Sequence, residues 1–453
     1  MTAPAAARGP AAPGGGHARR QRRVDALVML AALGFGVVLA ATSLQETRGS
    51  LAAPGGISTA IGRVAGMAGT YLMLVTVLLA GRLPVLERAA GQDRLLHWHR
   101  RLGPWPLYLI TAHVVFTTLG YASAAATGPL AQVRQLLTGY PDVLAAAIAY
   151  GLLVAVGVSS YRKARRRLRY ETWWVIHLYA YLALALSFAH QLVTGEAFVG
   201  HPLSRLGWLA LWAGTAGVVL VYRVGLPVYR SLRHDLRVAV VQREADGVVS
   251  VIARGRNLDA LDVAGGQFLQ WRFLTRGLWW QAHPYSLSAL PRRGHIRVTI
   301  KDLGDHSRGL GHLRRGTRIA VEGPYGVFTA HARHADRVLL VGAGVGITPL
   351  RALLEDLPSA VQADVVVRVR HRSDLLLHGE LELFARAHHG RVIALIGSRQ
   401  QVDLRRELRD HVPDLAERDV FVCGPGDFAE LVTAIARRAG TPAERIHVES
   451  FAS

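Results

Sequence analysis

Six apolar segments dominate the first half of the chain, at about Ala26–Leu44, Val64–Ala80, Leu102–Tyr121, Val143–Tyr161, Trp173–Val193 and Leu206–Val224. Each is close to the ~20 residues a helix needs to cross a bilayer core. Hydrocarbon tolerates no unpaired backbone groups, so such segments must be helical. The loops between them alternate in charge. The N-terminal arm, "GRLPVLERAAGQDRLLHWHRR" and "RKARRRLRYE" together hold 16 Lys or Arg, whereas the intervening loops hold only Arg48, Arg63, Arg134 and Arg205. Basic loops stay on the cytoplasmic side. The sequence therefore predicts a multi-pass protein of the cell membrane with both termini in the cytoplasm.

Composition narrows the class. The chain has 453 residues, is 51% hydrophobic and carries a formal net charge of +21. That charge sits in short runs beside apolar segments rather than along one soluble face, so it argues for a lipid bilayer as partner and against nucleic acid. Cys423 is the only cysteine, which excludes an intramolecular disulfide, a thiolate metal cluster and a C-x-x-C-H haem attachment site. Residues 1–23, rich in Ala, Pro, Gly and Arg, read as a disordered basic arm. The first apolar run also has the look of a signal peptide ending near "VLAATS". Keeping it as a helix completes an even, charge-consistent set.

After Val224 the pattern changes. Residues 235–330 show short alternating strands with Gly and Pro turns, the signature of an antiparallel β-barrel. Residues 336–453 alternate strands with helices, as in a parallel α/β domain. The expected architecture is mixed: a six-helix transmembrane bundle over 24–228, then the barrel, then the α/β domain.

Four histidines fall in the apolar part. His99 and His113 lie 14 residues apart at the start of and within the third segment; His177 and His190 lie 13 apart in the fifth. Both helices run outward from the cytoplasm, so His99 matches His177 in depth and His113 matches His190. The two levels are roughly 20 Å apart at 1.5 Å per residue. Metal-binding residues inside a membrane are costly and mark function. An ordinary packing role explains one such histidine better than two depth-matched pairs, which suit two haems, each between two imidazoles. On an ideal helix His190 is about 140° from His177, so either the fifth helix is distorted or the two groups are approached from different directions. His97 is expected at the interface and His201 in solvent.

Six residues in the barrel half, "HPYSLS" (His283–Ser288), resemble the flavin signature of the ferredoxin-reductase superfamily, in its transmembrane branch of NADPH oxidases and ferric reductases. That branch carries two haems on histidines of its third and fifth helices. The resemblance implies FAD held by His283, Pro284, Tyr285, Ser286 and Ser288, with Tyr285 stacked on the isoalloxazine, Ser286 bonded to flavin N5 and His283 in place of an arginine. In "KDLGDHSRGL", Ser307 would open a short helix facing a pyrophosphate, which favours FAD over FMN. Phe451, near the end of "IHVESFAS", would lie against the flavin.

"VLLVGAGVGITPLRALLE" places Gly342, Gly344 and Gly346 between a buried strand and a helix that begins with Thr348 and Pro349. Glycines admit a phosphate to the backbone, and the helix N-terminus favours its charge. The spacing differs from G-x-G-x-x-G and resembles the nicotinamide loop of the same superfamily. "VCGPGDF" is similar to its next signature, which implies Cys423, Gly424 and Pro425 beside the nicotinamide; simple packing is the alternative for Cys423. Ser398 and Arg399 follow a strand where relatives grip the 2′-phosphate of NADPH, with Arg370 and Arg372 nearby, and arginine suits a phosphate.

A hydride carries two electrons, a haem takes one and a flavin handles both. The expected path is NADPH, FAD, the inner haem b (His99, His177), the outer haem b (His113, His190) and an outer acceptor. Oxygen yielding superoxide, a ferric complex and a periplasmic redox protein are the acceptors in contention. Glu46, Asp142, Glu196 and His201 in the outer loops are too scattered to choose. Trp208 and Trp212 are placed either between haems or at the interface. No calcium-binding loop is present.

Overall fold

The computed structural model describes residues 15–168, 170–193, 198 and 201–451. One compact unit comprises Arg23–Leu86 and Asp93–Tyr222, and a second is built on Arg223–Ser453.

Among the described residues, six helices of the first half are long and apolar enough to cross a membrane. They contain α1 (Gly15–Ser43), α2 (Gly56–Ala80), α3 (Pro104–Ala124), α4 (Pro141–Ser160), α5 (Tyr170–Val193) and α6 (Pro202–Leu220). The basic arm expected to be disordered through residue 23 is helical from Gly15. Its Ala, Arg and Gln residues are good helix formers, and the apolar run supplies the costly nucleus from which they extend. Residues 1–14 and Glu196 lie outside the described residues.

A separate helix, Gln92–Leu102, precedes α3 and carries His99. Pro104 and Pro106 in the first turn of α3 have no N–H to donate, so the ladder is interrupted between His99 and His113. α5, in contrast, is one continuous α-helix. The irregularity sought in the fifth segment falls in the third.

Antiparallel α2 and α3 pack closely because α2 presents small residues. A Cβ on Gly62 would lie 2.6 Å from Thr117, one on Gly66 2.7 Å from the His113 ring, and one on Gly69 3.0 Å from Ile110. Small residues bring helices together where no hydrophobic force acts between them. On the other side of α2, the Tyr71 hydroxyl donates to Ala31 O of α1 at 2.8 Å. Trp208 of α6 is buried and donates to Gln191 of α5 at 2.8 Å, while Trp212 packs on Phe188 of α5. Both tryptophans thus tie α6 to α5.

The second unit opens with α7 (Leu226–His234), which packs on the following sheet. Strands β1 (Arg237–Ala245), β2 (Val248–Arg254), β3 (Phe268–Phe273), β4 (His283–Arg292), β5 (His295–Lys301) and β6 (Ile319–Tyr325) form an antiparallel sheet in the order β1-β2-β5-β4-β3-β6. Its outer strands meet: Arg237 bridges Arg318, Val238 N donates to Thr317 O and Ile319 N to Leu236 O. Alternate residues point inward, and Leu269, Trp271, Phe273, Leu287 and Val298 fill the interior.

The remaining strands are β7 (Arg337–Ala343), β8 (Gln362–Val369), β9 (Val392–Ile396), β10 (Asp419–Pro425) and β11 (Ile446–Phe451), parallel and in the order β11-β10-β7-β8-β9. β10 is buried from Asp419 to Gly424, the continuous burial expected of a central parallel strand covered on both faces. The strand order reverses between β7 and β10.

Two ion networks hold this unit together. Arg297 of β5 makes a two-pronged pair with Glu380 at 2.8 Å to each oxygen, and Arg351 joins the same carboxylate at 2.7 Å. Deeper in the α/β half, buried Arg418 pairs with buried Asp364 at 2.8 Å, and Asp364 also accepts from Arg391 N. Removing one partner of a buried pair strands the other charge. Asp364→Ala is expected to cost this half about 3–5 kcal/mol, seen as an earlier thermal transition in calorimetry; an unchanged transition would assign Asp364 no structural weight.

Candidate functional site

The four membrane histidines meet in two pairs. The His99 and His177 rings are 5.9 Å apart between centroids, and those of His113 and His190 6.3 Å. Two imidazoles bound to opposite sides of one metal ion at about 2.0–2.1 Å place their centroids about 6 Å apart. The donor set and spacing therefore fit a metal between the rings of each pair.

Backbone carbonyls set the tautomers on one side. His99 Nδ1 lies 2.9 Å from Thr76 O, and His113 Nδ1 lies 2.8 Å from Gly62 O. A carbonyl only accepts, so each Nδ1 carries the proton and each Nε2 keeps its lone pair. This is how metal-ligating histidines are oriented. Thr76 and Gly62 are themselves 14 residues apart on α2, matching the 14 between His99 and His113. The ring of His177 stacks on Trp173 at 5.0 Å, and its Nδ1 contacts Ser160 Oγ at 3.3 Å. His97 and His201 are exposed.

On the antiparallel sheet, His283 and Tyr285 are two apart on β4, so their rings share one face, stacked at 6.2 Å and 18°. Burial pushes the Tyr285 phenol well above its ordinary range. Ser286 is buried next to them. Ser288 departs from expectation. It is fully buried, its hydroxyl bonded by Thr299 at 2.8 Å and Arg297 at 3.2 Å. It alternates with Leu287, whose side chain fills the barrel interior, so Ser288 lies on the outer face of the wall beside Thr299 and Arg297. Ser307, expected to open the short helix, is the third residue of Asp305–Leu310, behind Gly304 at the cap; its hydroxyl accepts from Leu303 N at 2.8 Å and donates to Gly304 O.

The two glycine-bearing motifs of the α/β half converge at the β7–β10 switch, where open sheets bind ligands. Gly342 pairs with Cys423, and the turn Gly344–Gly346 lies against the end of β10. A Cβ on Gly346 would collide with Cys423 O. Gly344 adopts φ +55°, which a glycine enters without strain. α8 (Ile347–Asp356) follows. Its Thr348 is buried and donates to Val345 O, and Pro349 is buried beside it. Pro425 is exposed at the rim, opposite Phe451 in the β10–β11 register. Phe451 is half-buried against the α/β core.

Ser398 and Arg399 are exposed beyond β9. The Ser398 carbonyl accepts from Arg368 at 2.9 Å, and Arg399 approaches Asp427 at 3.8 Å. Burial, then the neighbouring Arg370 and Arg399, lowers the Arg368 pKa. Arg368 completes a positive cluster that the sequence reading missed. Its position at the end of β8, two residues before Arg370, was the available signal. Arg372 lies in the next turn.

Residues 65–188 match the ferric reductase like transmembrane component family, and 340–434 match the oxidoreductase NAD-binding domain family. Among similar proteins is the ferredoxin reductase component of 3-ketosteroid-9-alpha-monooxygenase from Mycolicibacterium smegmatis, 30% identical over 48% of this chain and 65% of that protein. A glycine betaine monooxygenase reductase subunit from Pseudomonas aeruginosa is 32% identical over 37% of this chain and 48% of that one. The chain thus spans about half to two thirds of these relatives. The flavohem-like FAD/NAD binding domain of a nitric oxide dioxygenase from Vibrio cholerae O1 biovar El Tor aligns at 21% identity and a TM-score of 0.42, over 49% of this chain and 99% of that one.

Cys423 is fully buried, and burial raises its thiol pKa far above the ordinary value. Thiolate is the reactive form. The single cysteine should therefore resist alkylation by N-ethylmaleimide in the folded chain and react on denaturation. Rapid labelling of the native protein would mean that the end of β10 opens.

Proposed function

Because the chain joins a ferric-reductase-like transmembrane component to an oxidoreductase NAD-binding domain, we propose that this NAD(P)H-driven oxidoreductase moves electrons from cytoplasmic NADPH across the membrane to an outer acceptor, with oxygen giving superoxide as the leading reaction. FAD would convert the two electrons of a hydride into single electrons, and two haems b would relay them. The observation that carries the reading is the pairing of four histidines into two ring pairs of metal-binding separation. Basic loops on one side of the helices support cytoplasmic termini.

In this reading His99 and His177 hold the inner haem, and His113 and His190 the outer one. Thr76 O and Gly62 O keep Nε2 of His99 and His113 free for iron. Tyr285 and His283 offer the flat face for the flavin ring, Ser286 a hydroxyl beside it, and Pro284 fixes the strand between them. Ser307 shapes the turn at the pyrophosphate, and Phe451 stands near the rim. Gly342, Gly344 and Gly346 admit the nucleotide phosphates ahead of Thr348 and Pro349. Cys423, Gly424 and Pro425 line the nicotinamide end, while Ser398, Arg399 and Arg368 face the 2′-phosphate.

The family matched over 65–188 favours a second reading, in which the outer acceptor is a ferric complex. Relatives named as reductase components of monooxygenases favour a protein acceptor on the same basis. NADPH consumption by purified, haem-loaded protein, in air and without oxygen, separates these. Fast turnover in air with matching superoxide identifies an oxidase. Slow turnover that rises sharply on adding a ferric chelate identifies a metal reductase.

His113→Ala should lose one of two haems by pyridine haemochrome assay and stop transfer to outer acceptors, with reduction of the inner haem by NADPH retained. Full haem content in this variant would overturn the ligand assignment. Arg399→Ala should raise KM for NADPH about tenfold or more, the worth of a charge-assisted hydrogen bond, with KM for NADH nearly unchanged.

A further inference from the structure

At the opposite end of the parallel strands from the glycine turns, His334, Asp419 and His447 converge. Asp419 is the first residue of β10, His447 the second of β11, and His334 lies in the segment that leads into β7. One ligand atom from each lies within 4.8 Å of the others. His447 Nε2 is 2.8 Å from Asp419 Oδ1, and His334 Nδ1 is 3.7 Å from the same oxygen.

We propose that these three side chains form a structural site for a divalent transition metal of the zinc class. Tetrahedral bonds of about 2.0–2.1 Å put neighbouring ligand atoms about 3.3 Å apart, and the two measured separations fall either side of that value. Two imidazoles and one carboxylate are a zinc-type donor set, with water to complete it.

Three further observations point to a ligand. His334 Nδ1 is buried and makes no hydrogen bond; such an orphaned polar atom carries a desolvation cost that a metal bond would remove. Asp419 is fully buried, and its other oxygen already accepts from His334 N at 2.7 Å and Ala335 N at 2.5 Å, which aims Oδ1 at the histidines. The His447 ring is fixed by stacking on Phe421 at 4.3 Å, and the His334 ring lies parallel to it within 1°. Supporting contacts of this sort hold metal ligands in place.

The consequence is mechanical. The ion would pin the segment entering the α/β half to β10 and to β11, the edge strand that ends at Phe451. It stands apart from the electron path, so its test does not depend on the acceptor or on the haems.

The test uses untagged full-length protein, equilibrated with excess zinc chloride, dialysed against zinc-free buffer and assayed for zinc by mass spectrometry. The wild type should retain one zinc per chain more than His334→Gln and His447→Gln. Because the chain has 20 histidines, the difference between chains is the decisive quantity. Zinc K-edge absorption, which haem iron does not obscure, should show two imidazoles and an oxygen. Added zinc should raise the melting temperature of the wild type and leave both variants unmoved, since a ligand stabilises only the fold that binds it. Equal zinc in all three proteins, or none in the wild type, would overturn the proposal. Asp419→Asn is avoided because Asp419 also caps two backbone amides.

Discussion

The close approach of α2 and α3 is the contact on which the membrane half depends. Imidazole is expensive to place in hydrocarbon unless each nitrogen has a partner. Glycines at 62, 66 and 69 bring the backbone of α2 near enough for two of its carbonyls to take the Nδ1 protons of His99 and His113. Half the bonding need of each ring is met there. Each ring also lies about 6 Å from that of a histidine of α5, 5.9 Å at one level and 6.3 Å at the other.

The second unit solves a different problem. The nucleotide site proposed for it needs exposed backbone amides at a point where the sheet is otherwise fully covered. The reversal of strand order between β7 and β10 opens that point, and the absence of side chains at Gly342, Gly346 and Gly424 lets the turn and the strand end come into contact. The same crowding seals Cys423 from solvent. Thr348 and Pro349 are spent on shaping this turn, as Ser307 is on its own turn.

Much of this was legible in the residues. Long apolar runs, alternation of basic loops and the change from period-two strands to alternating strands and helices each have one dominant physical reading, and they located the six helices and both sheets. The histidine pairs followed from depth matching alone. Other features were not legible because they depend on partners distant in sequence. Ser288 has the same residue type and strand as Ser286, yet its burial comes from the pairing with β5, which sets it against Thr299 and Arg297. The break between His99 and His113 traces to prolines that read as an ordinary helix start. The helical start at Gly15 hides behind a composition typical of irregular chain. Arg368 looked like one more arginine in a strand until the neighbouring strand end brought Ser398 and Arg399 beside it.

The shared carboxylate of Glu380 has a consequence for how the reductase half moves. Two guanidinium groups, one from the barrel and one from the α/β half, grip a single side chain, and Gly265 N of the barrel is held by Asp356 at 2.8 Å close by. Such a clasp resists hinge opening between the lobes. The relative placement of the two lobes therefore rests on Glu380 keeping its charge.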